Sequence, residues 1–495
     1  MLRYQSRGEV LFHNRGILVF SRGSGLQGST FSVFEVELQR LLHRLKLALP
    51  TEIERNTMER MTVRFGLAVV ASPLEVGAEE APNLLKNAQE FFDGTRVELH
   101  PYGAPVISVQ EAIRAGMFFY DKRVHAICTI AASWFEDYLV LDMLEECDVP
   151  VVLWARPGME TGSLCGTQQL GFMLRQLSKP YKMLYDELES QTAREKLFSF
   201  ASAAALRYCL RRARIGYIGH RVEGMTETTG HELAMKKLFG PRIVSIDTQV
   251  LLKRASQVED EAVRDKWEEL KRHVGKVTCD DQAGMESLKF HRALKSLIEE
   301  KMLNAVAVGC YPYLMGKVCL AASLLGEERV PLACEGDVNG ALGMLMLTLL
   351  SGNPTHNTDL LDPIPEDNAI VFSHCGSGAF SLAEDPSRVT LAPVRLVDRG
   401  LCCLFPAKLG LVTLVNLVPT LDGYKMGVLF GEAVRTGMVF PGNPLKVRFE
   451  SDSRDVLFWI AKEGLGHHWM AAYGDFRVQL ADFAGMVGCE LTQKV

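Results

Sequence analysis

The chain has 495 residues, of which 47% are hydrophobic and 23% charged, and it carries a formal charge of −6. That length exceeds what one hydrophobic core holds, so two to four domains are expected. A pI near 6.1 argues against nucleic acid or an anionic membrane as the main partner, and no apolar run reaches the roughly 18 residues that a membrane span needs.

Residues 1–58 read as an N-terminal extension. Within residues 1–50, Arg3, Arg7, Arg15, Arg22, Arg40, Arg44 and Lys46 stand against three glutamates. The stretch "FSVFEVELQRLLHRLKLALP" has the spacing of an amphipathic helix. From residue 62 strands and helices alternate: "TVRFGLAVVAS" (62–72) as strand, a helix through Phe91, "RVHAICTIAAS" (123–133) as strand, "YLVLDMLEECD" (138–148) as helix and "VPVVLWARP" (149–157) as strand. Apolar strands alternating with helices predict a parallel sheet covered on both faces. A second such unit starts at "ARIGYIGHR" (213–221) and continues through "RIVSIDT" (242–248), a charged helical region (249–303), "AVAVGCYP" (305–312) and a helix before "RVPLACEGD".

The last third has a different texture. Segments 369–375, 389–396, 401–405, 412–418, 427–430, 446–449 and 456–460 are short, strand-like and separated by Gly, Pro and Asp. They predict a small antiparallel barrel or sandwich. The fold class expected is α/β: two Rossmann-like doubly wound domains (59–205 and 206–330), then a C-terminal catalytic domain (331–495) containing a small β-barrel. The twelve cysteines are scattered, include no C-x-x-C pair and mostly lie in apolar context. Reduced, buried thiols of a cytoplasmic protein fit that pattern, and a zinc–thiolate site is not expected.

The chemistry concentrates around "ACEGDVNGALGMLMLTLLSGNPTHNTDLLD" (333–362). Glu335 follows a predicted strand, where α/β folds place their sites. Asn339 and Gly340 open an apolar helix ending near Ser351–Gly352, and Asp359 falls in a short loop beyond it. His374 ends another predicted strand, and His467 and His468 occupy a Gly-flanked loop. Two acids with one or two histidines at such boundaries suit one Mn²⁺ or Mg²⁺ better than Zn²⁺. Plainer roles also fit: Glu335 and Asp337 as acids favoured at a helix start, Asp359 as a turn residue, His374 as a core histidine. The glycines of "GTQQLG" and "IGYIGHRVEG" match no phosphate-binding spacing, although Ser163, Gln168 and Gln169 have the hydrogen-bonding groups to face a polyol.

Three ordered blocks, "CEGDVNGALGMLMLTLLSGNPTHNTDLLD", "HCG" (374–376) and "GHHWMAAYGD", resemble the L-fucose isomerase / L-arabinose isomerase superfamily of ketol isomerases. The resemblance runs from about residue 60 to the end. By position it implies Glu335, Asp359 and His468 as metal ligands, with His468 rather than His467 at the ligand position. It implies Mn²⁺ as the ion, with Mg²⁺ or Co²⁺ as alternatives. Glu335 and Asp359 would also be the catalytic acid–base pair, and Asp337 and Asn339 would orient them. His374 would be a further ligand or a substrate contact. The implied activity is aldose–ketose isomerisation of a free monosaccharide through an enediolate, and the implied assembly is a homo-oligomer (trimer or hexamer) with Trp134 and Gln168 on the wall of a shared pocket. No counterpart is found for residues 1–55, so the chain reads as a divergent branch. Pentoses, 6-deoxyhexoses and anionic hexoses such as sulfoquinovose are all open as substrates, and a non-catalytic sugar-binding relative is the competing class.

Overall fold

The structure is a computed structural model and describes residues 10–13, 16–19, 61–92 and 97–495. Residues 1–57 and 58–495 form separate compact units. In the first, Val10–His13 and Gly16–Val19 pair as an antiparallel hairpin. The helix expected within 31–50 lies outside the described residues.

The second unit opens with a five-stranded parallel sheet in the order Val97–Pro101, Val63–Val70, Ala126–Ala131, Val151–Ala155, Tyr181–Tyr185. Every residue of Ala126–Ala131 and Val151–Ala155 is buried. Neighbouring residues of Val63–Val70 feed different cores: Phe65, Leu67 and Val69 pack into one, Ala68 and Val70 into another. A strand buried on both faces has this property because successive side chains alternate. The sequence therefore reads as a continuous apolar run.

A second parallel sheet has the order Leu332–Ala333, Ala305–Val308, Arg214–Ile218, Arg242–Ile246. Its central strands point their C-terminal ends at the turn containing Glu335. From that turn runs the helix Val338–Ser351, buried along nearly its whole length. Asp337 caps its start by accepting the Gly340 N–H at 2.9 Å, and Gly352, at φ +69°, ends it in the left-handed conformation.

The C-terminal third forms a separate mixed sheet. Gly410–Pro419, His468–Tyr473, His356–Ile364, Ala369–Ser373, Leu445–Arg448 and Tyr424–Val434 pair in that order, and the first also pairs with the last, so the pairings return to their start. Glu490–Lys494 adds alongside Tyr424–Val434 in parallel.

Three local expectations are corrected. Residues 456–460, read as strand, belong to the helix Ser453–Lys462: Asp452 caps it, and it buries Ser453, Val456 and Ile460 while Phe458 stays 73% exposed. The run "VLFWI" is apolar enough for either structure, and the burial at 456 and 460 follows the helical period. Asp359, expected in a loop, lies within the strand His356–Ile364, and His468, also expected in a loop, begins the strand His468–Tyr473. In the first strand the polar run His356, Asn357, Thr358, Asp359 breaks the apolar alternation that marks a strand in sequence, and in the second the ligand candidate is the first residue, next to Gly466 and His467.

Candidate metal centre

Glu335 stands between strand and helix with φ +61°, and Gly336 follows at +71°. Consecutive left-handed residues turn the chain sharply, and Gly336 is required there because a Cβ would sit 2.5 Å from the His220 carbonyl oxygen. The turn is tied on two sides: Gly336 N–H donates to Val308 O at 2.9 Å, and Val222 N–H donates to Glu335 O at 3.3 Å. The Glu335 side chain is thereby held toward the mixed sheet.

There the strand register supplies its partners. Asp359 lies directly across from His468 in one antiparallel pair and across from Ser373 in the next. Opposed residues of an antiparallel pair share a face, so Asp359 and His468 project together. His468 Nε2 is 3.2 Å from Glu335 Oε2 and 3.3 Å from Asp359 Oδ1. The acids are partly open (side-chain exposure 21% and 29%), whereas the imidazole is 3% exposed.

The other ring nitrogen decides which atom of His468 faces the acids. Nδ1 donates to Asp337 Oδ2 at 2.8 Å, while Asp337 Oδ1 is occupied by the helix-capping N–H. In the neutral imidazole, Nε2 then presents its lone pair to the point shared with Glu335 and Asp359. A carboxylate behind a histidine, fixing its tautomer, is the usual arrangement around metal-ligating imidazoles. Burial opposes charge on His468, but the hydrogen bond to Asp337 and the Glu335 and Asp359 carboxylates beside it outweigh that and hold the imidazole well above its ordinary range. Burial would likewise raise the Glu335 carboxyl, yet the His468 imidazole beside it and the charge of His374 bring it below its ordinary range.

His374 approaches from the adjacent strand end, its Nε2 3.8 Å from Asp359 Oδ1. Its Nδ1 accepts the backbone N–H of Cys375 at 2.8 Å, so in the neutral ring the proton sits on Nε2 and points toward the acids. His374 thus presents a proton to the acids where His468 presents a lone pair. Close backbone packing holds it: a Cβ on Gly442 would lie 1.8 Å from the His374 carbonyl oxygen. His468 Nε2 and Asp359 Oδ1 are buried atoms that face one another at 3.3 Å without a well-formed hydrogen bond. Buried polar atoms left unpaired are costly, and a lone pair and a carboxylate oxygen converging on one region fit a bound cation. Glu335, His374 and His468 form one group whose ligand atoms lie within 4.8 Å of one another, and Asp359, His467 and His468 form a second.

Of the other residues singled out in the sequence, Asp337 and Asn339 are buried beside the centre. Asn339 Nδ2 donates to the carbonyls of Glu227 and Thr229, and its Oδ1 accepts from Tyr424 OH at 3.0 Å. His467 is more open and pairs through Nδ1 with Glu227 Oε1 at 2.5 Å. Trp134 and Gln168 belong to the five-stranded-sheet region, and no hydrogen bond or ion pair links either to the acids among the described residues; Gln168 and Gln169 face solvent. Ser163 is a structural residue, its hydroxyl donating to Ala131 O and accepting the Arg156 N–H. Two contributors were missed in sequence. Glu227 comes from the loop after Arg214–Ile218, and Asn416 binds the His468 carbonyl at 2.6 Å and the Gly466 N–H at 3.0 Å. Glu227 could have been flagged by its place beyond the C-terminal end of a parallel strand; Asn416, in the middle of an apolar strand, carried no such signal.

Comparison with known proteins agrees with a sugar-converting centre. The chain is 27% identical over 350 residues to a sulfoquinovose isomerase of Alkalicoccus urumqiensis, covering 68% of this chain and 79% of that protein. It is 24% identical over 382 residues to a sulfoquinovose isomerase of Priestia aryabhattai (74% and 85%). It is also 24% identical over 367 residues to one from Clostridium sp. strain MSTE9 (69% and 80%). No protein-family model matches the chain.

Proposed function

We infer that the protein is an aldose–ketose isomerase of a free monosaccharide and that Glu335, Asp359 and His468 hold its divalent ion. The observation that carries the metal assignment is the His468 imidazole, anchored through Nδ1 on Asp337 with Nε2 within 3.3 Å of both carboxylates. Oxygen-rich donors with a single imidazole favour Mn²⁺, with Mg²⁺ or Co²⁺ as alternatives. When bound, the ion supplies Lewis acidity to adjacent carbonyl and hydroxyl oxygens of an open-chain sugar.

The chain's own groups do the rest. Each carboxylate has two oxygens, so one can face the ion while the other handles a proton. Glu335 and Asp359 approach the recess from different elements, the turn after Leu332–Ala333 and the strand His356–Ile364. One removes the proton from the carbon beside the carbonyl and returns it to the neighbouring carbon; the other supports proton transfer between the oxygens of the enediolate. His374, with its proton on Nε2, donates into the same recess. His467, held by Glu227, stands at its open side.

The relatives' substrate supports sulfoquinovose, or a similar anionic hexose, as the sugar. A sulfonate calls for a cation, and Arg221 and His220 are on the loop packed against the Glu335–Gly336 turn. The ring of pairings in the C-terminal sheet is read as the small barrel, the two parallel sheets as the domains 59–205 and 206–330. A homo-oligomer in which Trp134 and Gln168 of a neighbouring copy wall the pocket completes the reading.

The test strips the purified protein with chelator, restores Mn²⁺ and offers sulfoquinovose, L-fucose, D-arabinose and L-arabinose, with Glu335→Gln alongside. Metal-restored ketose formation that is lost in the variant is expected, fastest on sulfoquinovose. Mn²⁺ binding without turnover of any of the four sugars would overturn the substrate reading, and failure to bind Mn²⁺ would overturn the ligand assignment.

A further inference from the structure

Beside the carboxylate–imidazole centre lies a group of thiols that isomerisation leaves unused. Cys334 immediately precedes Glu335, and Cys375 immediately follows His374. The sulfur atoms of Cys334 and Cys375 and an imidazole nitrogen of His374 lie within 4.8 Å of one another. His374 Nδ1 is 3.1 Å from Cys375 Sγ. Around it, Cys334 Sγ donates to Ser377 Oγ at 3.6 Å and Cys310 Sγ accepts the Glu335 N–H at 3.4 Å. Cys310, Cys319 and Cys334 are buried, whereas residue Cys375 is partly exposed. Separated in sequence, these residues have no metal-binding spacing; the fold assembles them.

We propose that Cys334, Cys375 and His374 Nδ1 form a second metal site, for a soft divalent ion such as Zn²⁺ or Cd²⁺, with the fourth position left to solvent. Thiolate and imidazole donors select such ions, whereas Mn²⁺ and Mg²⁺ prefer the oxygen-rich site next door. Ligand bonds of about 2.3 Å to sulfur require donor atoms a little under 4 Å apart in a tetrahedron, and the three donor atoms already lie within 4.8 Å of one another. On binding, each coordinating thiol releases its proton to solvent, and the ion replaces the Cys375 N–H on the Nδ1 lone pair. No oxidation state changes. The two sites share His374: an ion on Nδ1 locks the proton on Nε2, the nitrogen that faces Asp359, and keeps His374 a donor toward the acids. That coupling rests on the assignment of Glu335, Asp359 and His468 to the hard ion; the thiol site does not.

The test adds Cd²⁺ to the Mn²⁺-loaded protein and follows the ultraviolet thiolate-to-cadmium charge-transfer band together with the electron paramagnetic resonance of bound Mn²⁺. One equivalent of Cd²⁺ per chain is expected to produce the band while Mn²⁺ stays bound. Cys375→Ser and Cys334→Ser should each lose most of the band, and Cys165→Ser, at an exposed position, should keep it. Circular dichroism checks that the variants fold, and the wild-type titration needs no variant. Absence of the band in the wild-type protein, or its survival in both cluster variants, overturns the proposal. Failure of Mn²⁺ to bind counts against the hard-ion assignment, and the cadmium band decides the thiol site independently.

Discussion

His374 and His468 are buried imidazoles a few ångströms apart, yet their neighbours place opposite atoms toward the same recess. A carboxylate accepts from Nδ1 of His468, and a backbone N–H donates to Nδ1 of His374. Asp337→Asn tests this. The asparagine can still cap the helix with its oxygen, but its NH₂ then meets His468 Nδ1 and pushes the ring proton to Nε2, the coordinating atom. Loss of such a supporting group typically costs about 10–100-fold in metal affinity, and that loss is expected in a Mn²⁺ titration with the melting temperature of the metal-free protein little changed. The raised proton affinity of His468 has a second consequence. Coordination needs a free Nε2 lone pair, so below the imidazole's raised pKa the ion displaces a proton. Calorimetry at neutral pH in buffers of different ionisation enthalpy should register proton release, and the apparent Mn²⁺ affinity should fall as pH falls. The Asp337→Asn protein should release less.

At the scale of elements, the site is a product of register and of one turn. Asp359 faces His468 because the strands His356–Ile364 and His468–Tyr473 pair as they do; a slip of one residue would turn every side chain to the other face. The turn at Glu335–Gly336 brings Glu335 to this pair from the parallel sheet. Gly336→Ala puts a methyl group against the His220 carbonyl at a left-handed position. A strain of about 1–3 kcal/mol is expected, read as a lower denaturation midpoint, together with weaker Mn²⁺ binding because Glu335 shifts. An alanine that leaves both unchanged would show that the turn does not position the ligand.

Across the whole molecule, the first sheet is joined to the C-terminal helix Arg477–Val487 through polar contacts as well as apolar packing. Lys182 Nζ, on the edge strand Tyr181–Tyr185, binds Asp482 at 2.8 Å, and Ser199 Oγ donates to the same carboxylate at 3.0 Å. Both charged side chains are mostly shielded from water (exposure 22% and 16%). Asp482→Ala leaves the lysine without its partner, which should cost about 1.5–3 kcal/mol, the range for hydrogen bonds to charged groups. Urea unfolding is the measurement. Mn²⁺ affinity should stay within about twofold, because the centre's ligands come from other elements.

Much of this architecture was legible in the sequence. The strands Val63–Val70, Ala126–Ala131 and Val151–Ala155 announced themselves because burial on both faces demands unbroken apolar runs. The helix Val338–Ser351 was bounded by Asp337 and Gly352, residues whose chemistry caps helices. Glu335, Asp359 and His468 were picked out by motif resemblance, since their spacing along the chain carries no metal signature. What only the tertiary structure decided was relational. Cross-strand register set Asp359 opposite His468, the direction of one N–H at each Nδ1 separated ligand from donor, and distant loops delivered Glu227 and Asn416. The same holds for Cys334 and Cys375. Local propensity and burial are written in neighbouring residues, whereas convergence depends on pairings between segments far apart in the chain, which no local pattern records.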